Sequence, residues 1–141
     1  MLKTIDSANL IILNNKNQIL LAKRSPIEIE PNKWCIPGGS AELNESFEQT
    51  IEREILEELN AKILEYTYFK SYFVFDGIAI RCVYFYGKID DSNIILNEES
   101  TEYKWYNPEE IKDLEIAFQQ KTTLKDFIEE KLNSIQNFHH I

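Results

Sequence analysis

Residues 46–59 carry the pattern that most limits how this chain can fold. Apolar side chains recur there at helical spacing, and at about 100° per residue they share one face of the helix. Asn60 follows directly, and Asn tolerates the left-handed conformation that closes many helices. The pattern therefore predicts an amphipathic helix packed on a larger core. Its apolar face comprises Phe47, Ile51, Ile55 and Leu59.

Three glutamates crowd beside this apolar face. Glu54, Glu57 and Glu58 are spaced i, i+3 and i+4, and Glu58 falls between Phe47 and Ile51 in angle. Like charges at that spacing each cost roughly 0.2–0.5 kcal/mol on an isolated helix, and partial burial raises the cost. A solvated face is the ordinary alternative for a Glu-rich helix. A divalent cation would also let the carboxylates stay ionised, and hard oxygen ligands suit Mg²⁺ or Mn²⁺.

The rest of the chain mixes strand and helix patterns without strict alternation. Two apolar runs meet at Asp76-Gly77, a dipeptide that favours a two-residue hairpin turn. Asn107-Pro108 is a typical helix start, and apolar spacing predicts a last helix over 121–135. We therefore expect one α/β domain over residues 1–141, with a mixed sheet covered by helices on both faces. The predicted strands are 8–13, 18–22, 34–36, 62–75 and 78–89, with a further strand around Tyr103 and Trp105.

Composition narrows the class of protein further. The net charge of −9 argues against a nucleic-acid binder, and an acidic protein that binds polyphosphate needs a cation between the two. No stretch is long and apolar enough to span a membrane, and the N-terminus lacks the apolar region of a secretory signal. Cys35 and Cys82 fit small buried hydrophobes better than a disulfide framework, so we expect a reducing, cytoplasmic setting.

Residues 39–61 place fixed residue types at fixed spacings. In order they are Gly, five residues, Glu, seven residues, Arg-Glu, an aliphatic residue, any residue and Glu-Glu. This segment resembles the Nudix box, although Asn60 replaces its second Gly and Ala61 is smaller than its usual last aliphatic residue. The matching positions are Gly39, Glu45, Arg53, Glu54, Ile55, Glu57 and Glu58.

The resemblance extends to most of the chain. The further matching parts are a strand ending in Lys23-Arg24, the segment 34–39 that leads into the box, an acidic segment before Trp105 and the segment 116–118. It implies a Nudix-type α/β/α sandwich with a mixed central sheet. It also implies a hydrolase that cleaves a pyrophosphate linkage in a nucleoside triphosphate, or in a nucleoside diphosphate linked to another moiety, with Mg²⁺ or Mn²⁺.

The resemblance also implies roles for individual residues. Glu54, Glu57 and Glu58 would be metal ligands, and the Gly38-Gly39 turn would let backbone approach the metal or a phosphate closely. We expect Arg53 to orient a box glutamate through paired hydrogen bonds, with Glu45 as its partner. Arg24 and Lys23 are candidates for substrate phosphates, with exposed basic residues at a strand end as the alternative. The predicted metal set is Glu54, Glu57, Glu58 and Gly39.

The general base is the least determined role. A glutamate that binds the metal is a poor candidate to accept a proton from water at the same time. The acidic loop before Trp105 offers three other carboxylates: Glu98, Glu99 and Glu102. Glu99 resembles the position of the extra carboxylate in relatives, so we predict that it is catalytic. Solvated loop charges are the alternative, in which case a helix glutamate is the base. His139-His140 is interpreted as a mobile tail rather than a metal site.

Three functional hypotheses follow. The first is the hydrolase, the second a non-catalytic nucleotide-binding or sensing module on the same fold, and the third a helical scaffold with a charged face. Intact box carboxylates favour the first, and a plain scaffold does not account for the matched positions. Nucleoside triphosphates, nucleotide sugars and ADP-ribose stay open as substrates, and a homodimer stays open as the assembly.

Overall fold

A computed structural model describes residues 4–75 and 77–133. Strands and helices alternate irregularly along these residues, as predicted. The strands are β1 (Thr4–Leu13), β2 (Ile19–Arg24), β3 (Trp34–Cys35), β4 (Gly38–Ser40), β5 (Ile63–Phe75), β6 (Ala79–Ile89) and β7 (Ser100–Tyr106). The helices are α1 (Phe47–Leu59), α2 (Pro108–Ile111) and α3 (Gln120–Phe127), which continues as a π-helical segment over Ile128–Leu132.

Helix α1 occupies the predicted segment because its own sequence caps both ends. The Ser46 side chain accepts a hydrogen bond from the Gln49 amide at 3.1 Å, and the Gln49 side chain accepts one from the Ser46 amide at 2.9 Å. At the other end Asn60 is left-handed, with φ of 54°, and its amide donates to the Leu56 carbonyl. The prediction that Asn60 closes this helix is confirmed.

Strand β1 lies in the middle of a mixed sheet. It runs parallel to β6 along one edge, and along the other it pairs antiparallel with β4 near its start and with β2 at its end. β5 then pairs antiparallel with β6, and β7 pairs antiparallel with β2. The pairing of β5 with β6 confirms the predicted hairpin, while Asp76 of its turn lies outside the described residues.

Each face of the sheet has its own hydrophobic core, which confirms the α/β/α sandwich. Alternate residues of β1 point to opposite sides, so Leu10 joins the core under α1 and Ile11 joins the core under α2 and α3. On the α1 side Ile51, Ile55 and Leu59 are fully buried, as the helical pattern predicted. On the other side Leu124 and Phe127 of α3 are fully buried.

Three elements differ from the sequence-based prediction. β1 begins at Thr4 instead of residue 8, because its first half is held by β4 and β6 rather than by its own apolar pattern. β4 was not predicted, since it contains two glycines and one serine. The last helix loses α-helical geometry at Ile128, although Leu132 stays buried as expected, and Ile135 and the two histidines lie outside the described residues.

Among the residues that the structure describes, no helix has the length and the apolar character needed to span a membrane.

The contact between β5 and β6 at Gly87 gives a test of the fold. A Cβ added to Gly87 would lie 1.9 Å from the Glu65 carbonyl oxygen, so Gly87→Ala must push the two strands apart. We expect it to lower the free energy of unfolding by about 1–3 kcal/mol, as overpacking does. Urea denaturation would measure the loss. The neighbouring Lys88→Ala should cost less than about 0.5 kcal/mol, and an equal loss in both variants would contradict the steric explanation.

Candidate active site

Three consecutive backbone positions of β4 face three polar side chains of α1. The Gly38 amide donates to Glu58 Oε2 at 3.2 Å, and the Ser40 carbonyl accepts from Arg53 Nη2 at 3.0 Å. Between them, Glu54 approaches Gly39 so closely that an added Cβ would lie 2.6 Å from its Oε1. A side chain at position 39 would therefore displace the Glu54 carboxylate from its present place. The structure thus brings the predicted Gly38-Gly39 turn together with Glu54 and Glu58.

Arg53 connects the acidic side chains around this contact. Its Nε and Nη2 donate to the two oxygens of Glu45 at 2.7 and 3.0 Å, which is the pairing predicted from the sequence. Its Nη1 donates to Glu54 Oε1 at 2.9 Å and to Glu57 Oε2 at 3.3 Å. These carboxylates raise the pKa of Arg53 above its already high usual value. One guanidinium therefore orients three glutamates and β4 at the same time.

Glu45 is held in its ionised form. Its hydrogen bonds from Arg53, from the Glu42 amide and from the Thr50 hydroxyl lower its pKa to about 2.

Glu57 and Glu54 differ in exposure: the Glu57 side chain is 53% exposed, while the Glu54 side chain is 13% exposed. The Glu57 carboxylate therefore remains accessible from solvent while Arg53 orients it.

Glu58 and Glu99 belong to the same electrostatic environment. Burial raises the pKa of Glu58 well above its usual value, and the charges of Glu54 and Glu99 raise it further. Partial desolvation raises the pKa of Glu99 as well, followed by the charge of Glu54. The Glu99 carbonyl accepts a hydrogen bond from the Ser25 amide at 2.9 Å, which ties the loop before β7 to the end of β2. Glu99 is thus close enough to the helix carboxylates for their charges to raise its pKa.

The other two loop glutamates lie differently. Glu98 is exposed, and it contributes only a lesser charge to the raised pKa of Glu99. Glu102 is exposed on β7, opposite Lys23 of β2. Among the three candidates, the backbone of Glu99 bonds to the end of β2, and the charge of Glu54 helps to raise its pKa.

The donor set fits a hard divalent cation in its chemistry. Each of the three α1 carboxylates accepts its N–H donor on one oxygen only. Arg53 bonds to Glu54 Oε1 and Glu57 Oε2, and the Gly38 amide bonds to Glu58 Oε2. The second oxygen of each receives no N–H donor from the described residues, and all are of the type that Mg²⁺ and Mn²⁺ prefer. Over residues 4–75 and 77–133, no three acidic, His or Cys side chains converge closely enough to surround an ion as they stand. Binding would thus require side-chain rotation, which the exposed Glu57 allows.

Arg24 and Lys23 end β2 near this site, but both already have partners. Arg24 Nε donates to the Ile29 carbonyl at 2.6 Å, and its Cζ lies 4.7 Å from the centre of the Phe118 ring. Lys23 Nζ lies 5.9 Å from the centre of the Trp34 ring. Sequence reasoning named the segment 116–118 only through the family resemblance, and it missed the contact of Phe118 with Arg24 because this contact joins segments far apart in the chain.

The sandwich fold, with a glutamate-bearing helix against a glycine strand, defines a class of phosphoanhydride-cleaving hydrolases. The family model described as "NUDIX domain" matches residues 3–127, and the chain belongs to this family. It is accordingly a Nudix-type pyrophosphohydrolase. Hydrolases of this family generally need a divalent metal ion.

Similar proteins of known name agree with this assignment. The nucleoside triphosphatase NudI of Escherichia coli (strain K12) is 28% identical over 134 residues, which cover 83% of this chain and 94% of NudI. The 8-oxo-dGTP diphosphatase of Buchnera aphidicola subsp. Schizaphis graminum is 29% identical over 110 residues, or 72% and 76% of the two chains. The crystal structure of the MutT protein from Methanosarcina mazei Go1 superimposes with a TM-score of 0.81 at 24% identity, covering 92% of this chain and 96% of that one. At this identity the superposition shows the fold alone.

The bond between Glu45 and Arg53 predicts how stability depends on pH. Folding lowers the pKa of Glu45 from 4.5 to about 2, so its ionised form stabilises the fold above pH 4.5, and this contribution is lost as the pH falls towards 2. Wild type should therefore exceed Glu45→Gln in free energy of unfolding most at neutral pH, and the difference should shrink below pH 4.5. Urea denaturation across pH would measure it. Glu52→Gln, an exposed neighbour on α1, is the control, and a difference that stays constant with pH would contradict the prediction.

Proposed function

We propose that this chain hydrolyses the pyrophosphate linkage of a nucleoside triphosphate, or of a nucleoside diphosphate linked to another moiety, using Mg²⁺ or Mn²⁺. One observation carries the proposal: three α1 carboxylates and Glu99 share an environment against the glycine backbone of β4. The names of the relatives NudI and 8-oxo-dGTP diphosphatase support a nucleotide substrate. We further propose that residues 1–141 act as one cytoplasmic domain without a nucleic-acid or membrane partner.

The proposed ligands of the cation are Glu54, Glu57, Glu58 and the Gly39 backbone. When bound, the cation would supply a Lewis acid that lowers the pKa of water and neutralises charge on phosphate oxygens. Arg53 orients Glu54 and Glu57 through its Nη1, so it acts as a positioning residue. The two glycines let substrate and cation approach the β4 backbone without a side chain in the way.

The proposed general base is Glu99. The reaction transfers a proton away from the water that attacks phosphorus, and a base works best when its pKa is shifted towards the operating pH. Burial and neighbouring carboxylates raise the pKa of Glu99, which moves it in that direction. Its backbone is pinned by the Ser25 amide at 2.9 Å and by the Asn97 side chain at 3.0 Å, so the loop presents it in a defined place. Arg24, at the end of β2, is proposed to belong to the substrate-binding part of the site.

The helix carboxylates are tested by removing one charge. Glu58→Gln keeps the shape of the side chain, and it should lower Mg²⁺-dependent turnover by at least about a hundredfold, as loss of a key electrostatic group does. Release of phosphate or pyrophosphate would be measured on nucleoside triphosphates, and release of the nucleoside monophosphate on nucleotide sugars and ADP-ribose. Glu52→Gln, on the exposed side of α1, should keep normal turnover. Normal Mg²⁺-dependent turnover in Glu58→Gln would defeat the assignment.

Thermal unfolding gives a second measure that does not depend on turnover. A cation that binds only the folded state stabilises it by about 2.7 kcal/mol at a hundredfold excess over its dissociation constant. The melting temperature of wild type should therefore rise with Mg²⁺ or Mn²⁺. This rise should disappear when Glu54, Glu57 and Glu58 are all replaced by Gln, and an equal rise would place the ions elsewhere.

The base is tested within its own loop. Glu99→Gln should lose most turnover at saturating Mg²⁺, because it cannot accept the proton from water. Glu98→Gln is the matched control, one position earlier and exposed, and should stay near wild type. Turnover would be measured across pH for both variants. If Glu102→Gln were the damaging change, the choice within the loop would be wrong, and if none mattered the base would belong to α1.

A further inference from the structure

Phe118 has a backbone conformation that bulky residues avoid. Its φ is 60°, in the left-handed region, where an L-residue is disfavoured by roughly 1–2 kcal/mol. The ring nevertheless stays 48% exposed, so burial of apolar surface does not account for the strain. Strained residues of this kind cluster at ligand-binding sites and persist because their surroundings hold them.

Two contacts from the β2–β3 loop hold Phe118 in place. The Glu30 carboxylate accepts a hydrogen bond from the Phe118 amide, and the Arg24 guanidinium covers the ring at 4.7 Å. Glu30 is itself fixed by an ion pair with Lys33 at 3.0 Å. An exposed aromatic ring is thus built into a defined position.

The Arg24 guanidinium is held in place by the Phe118 ring and by the loop that follows β2. Its Nε donates to the Ile29 carbonyl at 2.6 Å, and its Nη2 lies 3.8 Å from Glu28 Oε2. With a carbonyl, a carboxylate and a ring around it, the guanidinium is oriented as a planar support. This arrangement fits a stacking role better than capture of a phosphate.

The pair lies next to the carboxylate site. Arg24 directly precedes Ser25, whose amide donates to the Glu99 carbonyl at 2.9 Å. The neighbouring loop also exposes Ile27 at 85% and Ile29 at 75%, so an apolar rim adjoins the charged site. A substrate with an anionic end at the glutamates would therefore meet an apolar and aromatic surface at its other end.

We infer that Phe118, supported by Arg24, is the stacking platform for the base of the nucleotide substrate. The inference rests on the proposed function, since it assigns the second end of that same substrate. A base is planar and apolar on both faces, and stacking on an aromatic side chain contributes strongly to binding. Arg24 strengthens the platform because a cation over one ring face leaves the opposite face for the base.

Binding of reaction products tests the inference separately from hydrolysis. Isothermal titration calorimetry with Mg²⁺ would compare nucleoside 5′-monophosphates with ribose 5-phosphate, which lacks the base. Phe118→Ala should weaken nucleotide binding by at least about fivefold, as loss of one base stack does, and leave ribose 5-phosphate binding unchanged. Arg24→Ala should show the same preference for weakening the nucleotide. Phe75→Ala is the matched control for loss of an exposed ring, since that ring is 72% exposed on β5, and it should bind both ligands like wild type.

A glycine at position 118 adds a measure of strain. Phe118→Gly removes the left-handed penalty together with the ring, so it should weaken nucleotide binding without lowering the melting temperature. The inference is overturned if Phe118→Ala binds nucleotides like wild type, or if Arg24→Ala weakens both ligands equally, which would make Arg24 a phosphate ligand. A chain that binds nucleotides through Phe118 but hydrolyses none would contradict the proposed function alone.

Discussion

The Arg53 guanidinium is the interaction on which the rest of this site depends. Without the positive charge of Arg53, the carboxylates of Glu45, Glu54 and Glu57, which all bond to this one group, would repel one another. Arg53 converts that repulsion into four directed hydrogen bonds, and a fifth bond to the Ser40 carbonyl fixes β4. A lysine could not replace it, because only a planar guanidinium reaches both oxygens of one carboxylate while serving other acceptors.

Helix α1 must both fill a hydrophobic core and hold a carboxylate beside it, and these two requirements conflict. Its apolar face fills one of the two cores, with Ile51, Ile55 and Leu59 fully buried. Glu58 lies beside this face and is partly buried with a raised pKa, which is unfavourable for folding. A stable helix alone would not keep a carboxylate there, so its position is better explained by the chemistry at β4 than by stability.

The elements that could be predicted have their determinants inside a short segment. The periodicity and the left-handed Asn60 lie within or next to α1, and the same holds for the β5–β6 hairpin. β4 was missed because Gly38–Ser40 becomes a strand only through pairing with β1. The role of Glu99 came from family resemblance, while its closeness to Glu58 depends on the folded chain. The contacts of Phe118 were missed for the same reason, since Arg24 and Glu30 are remote in sequence.

The central position of β1 has a consequence for the order of events during biosynthesis. Its register pairs Thr4 with Ala79, so the parallel edge of β1 stays bare until 75 further residues have been made. β2 can pair early with β1 and β3, but its other edge waits longer still, because β7 begins at Ser100. Contacts of such high sequence separation slow folding and leave apolar strands exposed meanwhile. This topology therefore favours a nascent chain that collapses only after β7 has been made.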